Sequence, residues 1–291
     1  MEGYGLLLMD ASNAFNSISC AAAIWNTRIY WSRCSRYVFN SYRGYAVLFI
    51  AGSQVTLLSK EGVTQGDPLA MLVYGIGILP LTRKLKDPEK WKQNWYADDS
   101  ACLAKLLLLK EWLAALMEEG PKFGYYPEPD KSYLVVHPAY IEPAQEIFKD
   151  LKIIIVTGRK FLGGFIGSAD DVADWFEQKV EGWVKSVIKI SNAASTNPHT
   201  AYTAFTKSPQ CERIFLQRVM IDAGSFYSPL KLAIIEHFLP SLFGSTIDED
   251  EVDLLCHPVR FAGIGIHDPI KSASNQLNIS YEATQHLSES I

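Results

Sequence analysis

The first half of the chain carries its apolar residues in short runs; the second half spaces them at three and four. "YGLLLMDASNAF" (4–15) is an unbroken apolar run that stops at Asp10, which predicts a buried strand with a carboxylate at its end. "AAAIWNTRIYWSRCSRYVFNSY" (21–42) has helical content. "YAVLFIAGSQVTLLSKEG" (45–62) alternates about Ala51-Gly52-Ser53 and reads as a hairpin. "VTQGDPLAMLVYGIGILPLTRKL" (63–85) breaks at Gly66-Asp67-Pro68 and continues as a long apolar helix. Pro68 suits its first turn and Asp67 its N-cap. "NWYADDSACLAK" (94–105) reads as strand, tight turn, strand. "LLLLKEWLAALMEEG" (106–120) is an amphipathic helix ended by Gly120, a strand starts near Tyr133, and "GRKFLGGFIG" (158–167) is another hairpin. The period then changes. "VADWFEQKVEGWVKSVIKIS", "AYTAFTKSPQCERIFLQRVM" and "PLKLAIIEHFLPSLFG" are helix-like. These patterns predict an α+β first part with an antiparallel sheet and a mostly helical second part, divided near Ser168. The polar stretch 268–291 is expected to be loosely ordered.

Composition fits this picture. The chain has 291 residues, 48% of them hydrophobic, which suffices for a sizeable core. No apolar run reaches the ~18 residues of a membrane helix. The N-terminus lacks the basic region and long apolar run of a signal peptide. Five scattered cysteines without a CxxC pair read as reduced intracellular thiols. Cys256, His257 and His267 match no common zinc spacing.

The chemistry lies in the carboxylates. Asp10 ends one strand, and Asp98-Asp99 sit in a strand–turn–strand. A sheet pairing these strands gathers three carboxylates at one edge, which repulsion opposes unless divalent cations are bound. Two such ions ~3.5–4 Å apart serve in-line phosphoryl transfer. Asp170-Asp171, by contrast, read as a solvated helix start.

Five segments in order resemble the palm motifs of reverse transcriptases, most closely those of retrotransposons without long terminal repeats: "LLMDASNAFNS", "GVTQGDPL", "YADD", "GYYPEPDKS" and "KFLGGFIG". They cover roughly residues 5–167. "HPVRFAGIGIHDP" (257–269) resembles a segment beyond the thumb of some of these polymerases. The resemblance implies a palm with a remnant of fingers over 1–168, a helical thumb-like region over 169–267 and a polar tail over 268–291. It implies an RNA-directed DNA polymerase with an RNA template, a DNA primer and deoxynucleoside triphosphates as partners. Two Mg²⁺ ions, or Mn²⁺, would be held by Asp10, Ala11 through its carbonyl, Asp98 and Asp99.

The same resemblance gives Phe15 the place under the incoming sugar, where a ring excludes a 2′-OH. Gln65 and Gly66 would contact the nucleotide, and Lys131 the departing pyrophosphate, with Asp130 able to pair with it. Phe161, Leu162, Gly163 and Gly164 would grip the primer. Arg43 and Lys60 are candidates for phosphate contact or plain solvated surface. The family carries basic fingers upstream of its first aspartate, so the resemblance implies an N-terminally truncated piece of a longer protein, intracellular and either cytoplasmic or nuclear. The net charge of −5 agrees with missing basic fingers. A catalytically inactive nucleic-acid-binding remnant and an RNA-dependent RNA polymerase remain alternatives. The second more often carries Gly-Asp-Asp and a smaller residue at the position of Phe15.

Overall fold

The computed structural model describes residues 3–289. The chain is α+β and forms two compact units, Met1–Arg159 and Lys160–Ile291. Nine strands occur in chain order among the described residues: β1 (Tyr4–Met9), β2 (Ala46–Phe49), β3 (Thr56–Ser59), β4 (Lys92–Tyr96), β5 (Asp99–Lys105), β6 (Tyr133–Val136), β7 (Ile154–Val156), β8 (Gly158–Phe161) and β9 (Gly164–Gly167).

The main sheet has the order β4-β5-β1-β6-β7. β1 is its central strand, antiparallel to β5 and to β6. Flanked on both edges, it reads as a continuous apolar run, and Leu7 and Met9 are buried. The helix Leu106–Glu119 packs on β1 and β5 and buries Leu109, Trp112, Leu113 and Leu116 at helical spacing. The expected all-antiparallel sheet needs one correction: β7 runs parallel to β6. The crossover between them carries a short helix, Ile141–Ile147, whose three residues of following strand are too few to show a period.

The predicted hairpin at 45–62 is β2–β3, with Gly52 at its tip. The helix expected from Pro68 starts later: it spans Ala70–Lys84 with Leu69 at the N-cap, and Asp67 closes the turn before it, its Oδ1 accepting the Leu69 N–H at 2.8 Å. Residues 21–42 divide into two helices, Cys20–Tyr30 and Ser35–Tyr42, joined by a 3₁₀ turn.

The β8–β9 hairpin, whose tip Phe161–Gly164 lies in the second unit, is followed there by a 26-residue helix, Ala169–Ala194, whose N-cap is Ser168. Asp170 and Asp171 lie in its first turn, where negative charge suits the helix dipole. The stretch 201–220 is two helices, Pro198–Lys207 and Pro209–Val219, because Pro209 opens a new one.

The segment 268–291 corrects the expectation of a loose tail: Pro269–Ser288 is a helix capped by Asp268. It docks largely through polar groups. Gln217 Nε2 donates to the Pro269 carbonyl (2.7 Å) and to Ser272 Oγ (3.0 Å). The preceding extended segment is held likewise. Gln210 Nε2 donates to Gly265 O (3.0 Å), and buried Arg213 donates through Nη2 to His267 O (3.1 Å). Burial pulls the Arg213 pKa down to about 10. Gln210, Arg213 and Gln217 lie on one face of one helix, so a single buried polar ridge fixes residues 265–272.

Candidate active site

The site forms where β1 ends. Met9 pairs with Ser100, so continuing the register by one step sets Asp10 across from Asp99. Tyr96 pairs with Asp99, leaving Ala97 and Asp98 as the two residues of the β4–β5 turn. Three aspartates therefore lie at one end of adjacent strands.

The other edge of the Asp10 segment is held by backbone. Ser12 N–H donates to Tyr126 O (2.8 Å), and Glu128 N–H donates to Asp10 O (2.9 Å). Ala11 bridges Pro127 between these bonds. In such a pair the Ala11 carbonyl points away from Pro127, toward the edge shared with β5. Asp10 N–H donates to the buried Ser132 Oγ (3.1 Å), which in turn donates to Glu128 O (2.7 Å). Asp10 Oδ1 accepts the Ala11 N–H (2.9 Å).

The turn is pinned from below by Tyr125, a fully buried ring. Its hydroxyl donates to the Asp98 carbonyl (3.0 Å) and shares a hydrogen bond with Ser100 Oγ (3.0 Å). Trp95 packs edge-on to Tyr125 with ring centroids 5.3 Å apart, and Cys102 is buried farther along β5, opposite Gln93 and Leu7. Ala97 takes φ 53, a left-handed conformation that strains residues with a Cβ. Ala97→Val is therefore expected to lower unfolding free energy by about 1–2 kcal/mol, and Ala97→Gly not to lower it, as read by urea denaturation. Equal loss in both would mean that the turn does not hold this conformation.

Electrostatics mark the same place. The Asp99 carboxyl is pushed above the usual range by burial first, then by the charges of Asp98 and Asp10. Tyr125 is raised by burial and feels all three aspartates. Lys131 is held protonated by Glu128, its ion-pair partner, and then by Asp10 and Asp130. The lysine thus stands within the field of Asp10. Its partner is Glu128, not the neighbouring Asp130 expected from sequence, because the 3₁₀ turn Pro129–Lys131 sets positions 128 and 131 on one side.

Whether these residues suit a divalent cation can be judged from their chemistry. The donors are carboxylate oxygens and one backbone carbonyl, which hard cations prefer. Their mutual repulsion is what a cation relieves. Among the described residues, no group of three or more His, Cys, Asp or Glu side chains is gathered closely enough to hold a metal by itself. Mg²⁺ commonly takes one or two carboxylates and completes its shell with water and substrate phosphates, so the donors fit it in kind.

The remaining predicted residues fall in three places. Phe15 is half-buried and stacks on Tyr74 with centroids 4.6 Å apart. Tyr74 is buried, its hydroxyl has no partner among the described residues, and its pKa is raised by burial first, then by Tyr125 and Asp98. Gln65 and Gly66 lie on an exposed turn closed by the Asp67 N–H on Thr64 O (3.1 Å). Phe161, Leu162, Gly163 and Gly164 form the β8–β9 turn of the other unit, with Leu162 and Gly163 both at positive φ. Sequence reasoning missed Glu128, Tyr125 and Tyr74. The first two stand within "GYYPEPDKS", but only the folded loop says which of its polar groups faces Asp10.

No family model matches the chain, and no curated protein matches it. Among solved structures it is similar to apo telomerase from Candida tropicalis, with a TM-score of 0.49 and 10% identity over 98% of this chain and 51% of that one. A telomerase from the same organism in complex with a TWJ fragment of telomeric RNA gives 0.45, 11%, 97% and 49%. The Candida albicans telomerase with a TWJ fragment gives 0.36, 10%, 99% and 49%. The chain spans about half the length of these structures. At TM-scores below 0.5 the likeness is too coarse to assign an activity.

Proposed function

We propose that the chain is the palm and thumb-like part of a reverse transcriptase, adding deoxynucleotides to a primer 3′-OH on an RNA template. One observation carries this reading: the central strand ends at Asp10 directly across from the Asp98-Asp99 turn. Asp10, Asp98, Asp99 and the Ala11 carbonyl would hold two Mg²⁺ ions, or Mn²⁺. Bound there, such ions neutralise phosphate charge and activate the attacking oxygen.

The chain's own residues do the rest. Asp10 and Asp98 set where the triphosphate sits, on a backbone fixed by Ser132 and Tyr125. Lys131 keeps a proton at Nζ within the field of Asp10, ready for the departing pyrophosphate. Gln65 and the side-chain-free Gly66 meet the templated nucleotide, and Phe161–Gly164 grip the primer.

Phe15 favours DNA over RNA synthesis, because its ring needs only bulk to exclude a hydroxyl. Phe15→Ala is expected to relax discrimination against ribonucleotides roughly 10- to 100-fold. It also removes half of the stack on Tyr74, so stability falls by about 2–3 kcal/mol, less than for a fully buried ring. Single-nucleotide insertion with matched deoxy- and ribonucleotides, run well below the melting point, checks this. Unchanged discrimination would remove Phe15 from the site.

The function itself is tested by primer extension on an RNA template with Mg²⁺ or Mn²⁺, comparing the parent with Asp98→Asn. Products made by the parent alone support the proposal. A parent that binds the RNA–DNA duplex without extending it would be a nucleic-acid-binding remnant instead.

A further inference from the structure

Charge is unevenly placed along this acidic chain. Residues 11–60 contain Arg28, Arg33, Arg36, Arg43 and Lys60 and not one Asp or Glu, although the whole chain carries −5. Much of the segment is the helices Cys20–Tyr30 and Ser35–Tyr42. All four arginines are exposed, and among the described residues none makes an ion pair.

Large rings are exposed between these cations. On the first helix Trp25 (61% exposed), Arg28 and Ile29 lie at i, i+3 and i+4 and share one face. On the second, Arg36, Phe39 and Arg43 form a stripe at i, i+3 and i+7, with the Arg43 guanidinium 5.4 Å from the Phe39 ring centre. The opposite face of that helix is anchored in the core by Val38 and Tyr42, whose hydroxyl donates to Asp67 Oδ2 (2.5 Å). The stripe is therefore held outward. Two further cation–ring pairs extend the surface: Arg83 over Tyr30 at 4.6 Å and Lys60 over Tyr45 at 5.6 Å.

We propose that these two helices present a binding surface for single-stranded nucleic acid. Unpaired guanidinium groups at this density repel one another, and exposed rings are unfavourable in water. A single strand offers phosphates to the arginines and flat base faces to Trp25, Tyr30, Tyr37 and Phe39. A duplex hides those base faces, and an acidic protein surface would engage the cations while leaving the rings without stacking partners. Rings and cations alternate across both helices instead of separating into an apolar strip and a charged one, which also sets the surface apart from a membrane-binding helix. The surface goes beyond the polymerase reading and does not depend on it.

The test is anisotropy of a labelled oligouridylate of roughly 20 nucleotides, titrated between about 50 and 200 mM salt. The triple variant Arg28→Ala/Arg36→Ala/Arg43→Ala is expected to lower affinity about tenfold or more and to flatten the salt slope by about 2, near 0.7 for each phosphate that no longer meets an arginine. Replacing the same three by Lys keeps the slope. Trp25→Ala/Phe39→Ala lowers affinity about tenfold with the slope unchanged. All of these positions are exposed, so circular dichroism is expected to report an intact fold in each variant. Unchanged affinity and slope in the triple Ala variant would overturn the proposal. So would displacement of the oligonucleotide by anionic phospholipid vesicles in preference to excess unlabelled oligouridylate. Asp98→Asn separates the two readings: extension lost with oligonucleotide binding kept concerns the catalytic site alone.

Discussion

Asp10→Asn is expected to lower primer extension by about 10³-fold or more while leaving the protein folded and no less stable to heat. The substitution is nearly isosteric. The backbone bonds of residue 10 to Ser132 and Glu128 do not involve its side chain, and an Asn oxygen can still accept the Ala11 N–H. What is lost is one of three negative charges that repel each other where strands meet. Asp99 is raised in part by Asp10, so removing Asp10 relieves folded-state repulsion. Stability and activity should then move apart, as expected where a site stores repulsion for a ligand to relieve. Asp98→Asn should behave alike. Asp99→Asn should lose less, because Asp99 is the carboxylate whose charge is already disfavoured by burial and by its two neighbours. Extension rates and melting curves for the three variants check this ranking. A largest loss at Asp99, or an unfolded Asp10→Asn, would reverse the assignment of roles.

The strand that leads to Asp10 was legible because its apolar run is short and ends in a polar residue, and its central place in the sheet, covered on both edges, accounts for the unbroken "GLLLM". A tight turn within "NWYADDSACLAK" was legible, but its two residues, Ala97 and Asp98, follow only from the pairing of Tyr96 with Asp99. Lys131 was legible as a residue but its partner was not. Pairing with Glu128 follows from a 3₁₀ turn of three residues, which leaves no periodic signal. Tyr125 read as one of two adjacent tyrosines, and only burial distinguishes it from exposed Tyr126. The helix Pro269–Ser288 escaped for a related reason. Pro269 and Ala273 are its buried residues, and its attachment runs through Gln217 and Ser272, so hydrophobic periodicity had little to report.

Two glycines bring the same contrast to measurement. Gly62→Ala is expected to destabilise the protein by about 4 kcal/mol or more, while Gly66→Ala costs about 1–2 kcal/mol. Sequence drew attention to Gly66, in the Gln65-Gly66-Asp67-Pro68 turn. It has φ +99, yet a Cβ there would meet nothing within 4 Å, so only backbone strain opposes a side chain. Gly62 has φ +88, and a Cβ there would lie 2.5 Å from Asn16 Cα and 2.7 Å from Phe15 O. Both obstacles are backbone and cannot swing aside. Gly62 N–H also donates to Ile18 O (2.8 Å), and the next residue, Val63, donates to Phe15 O (2.7 Å). Gly62 is thus the clamp on the loop that follows Asp10 and carries Phe15. Its substitution should disturb both stability and the choice of sugar, whereas Gly66→Ala should alter nucleotide affinity with a much smaller fall in melting temperature. Comparable denaturation midpoints for the two variants would mean that the close approach at Gly62 is not what holds Phe15 in place.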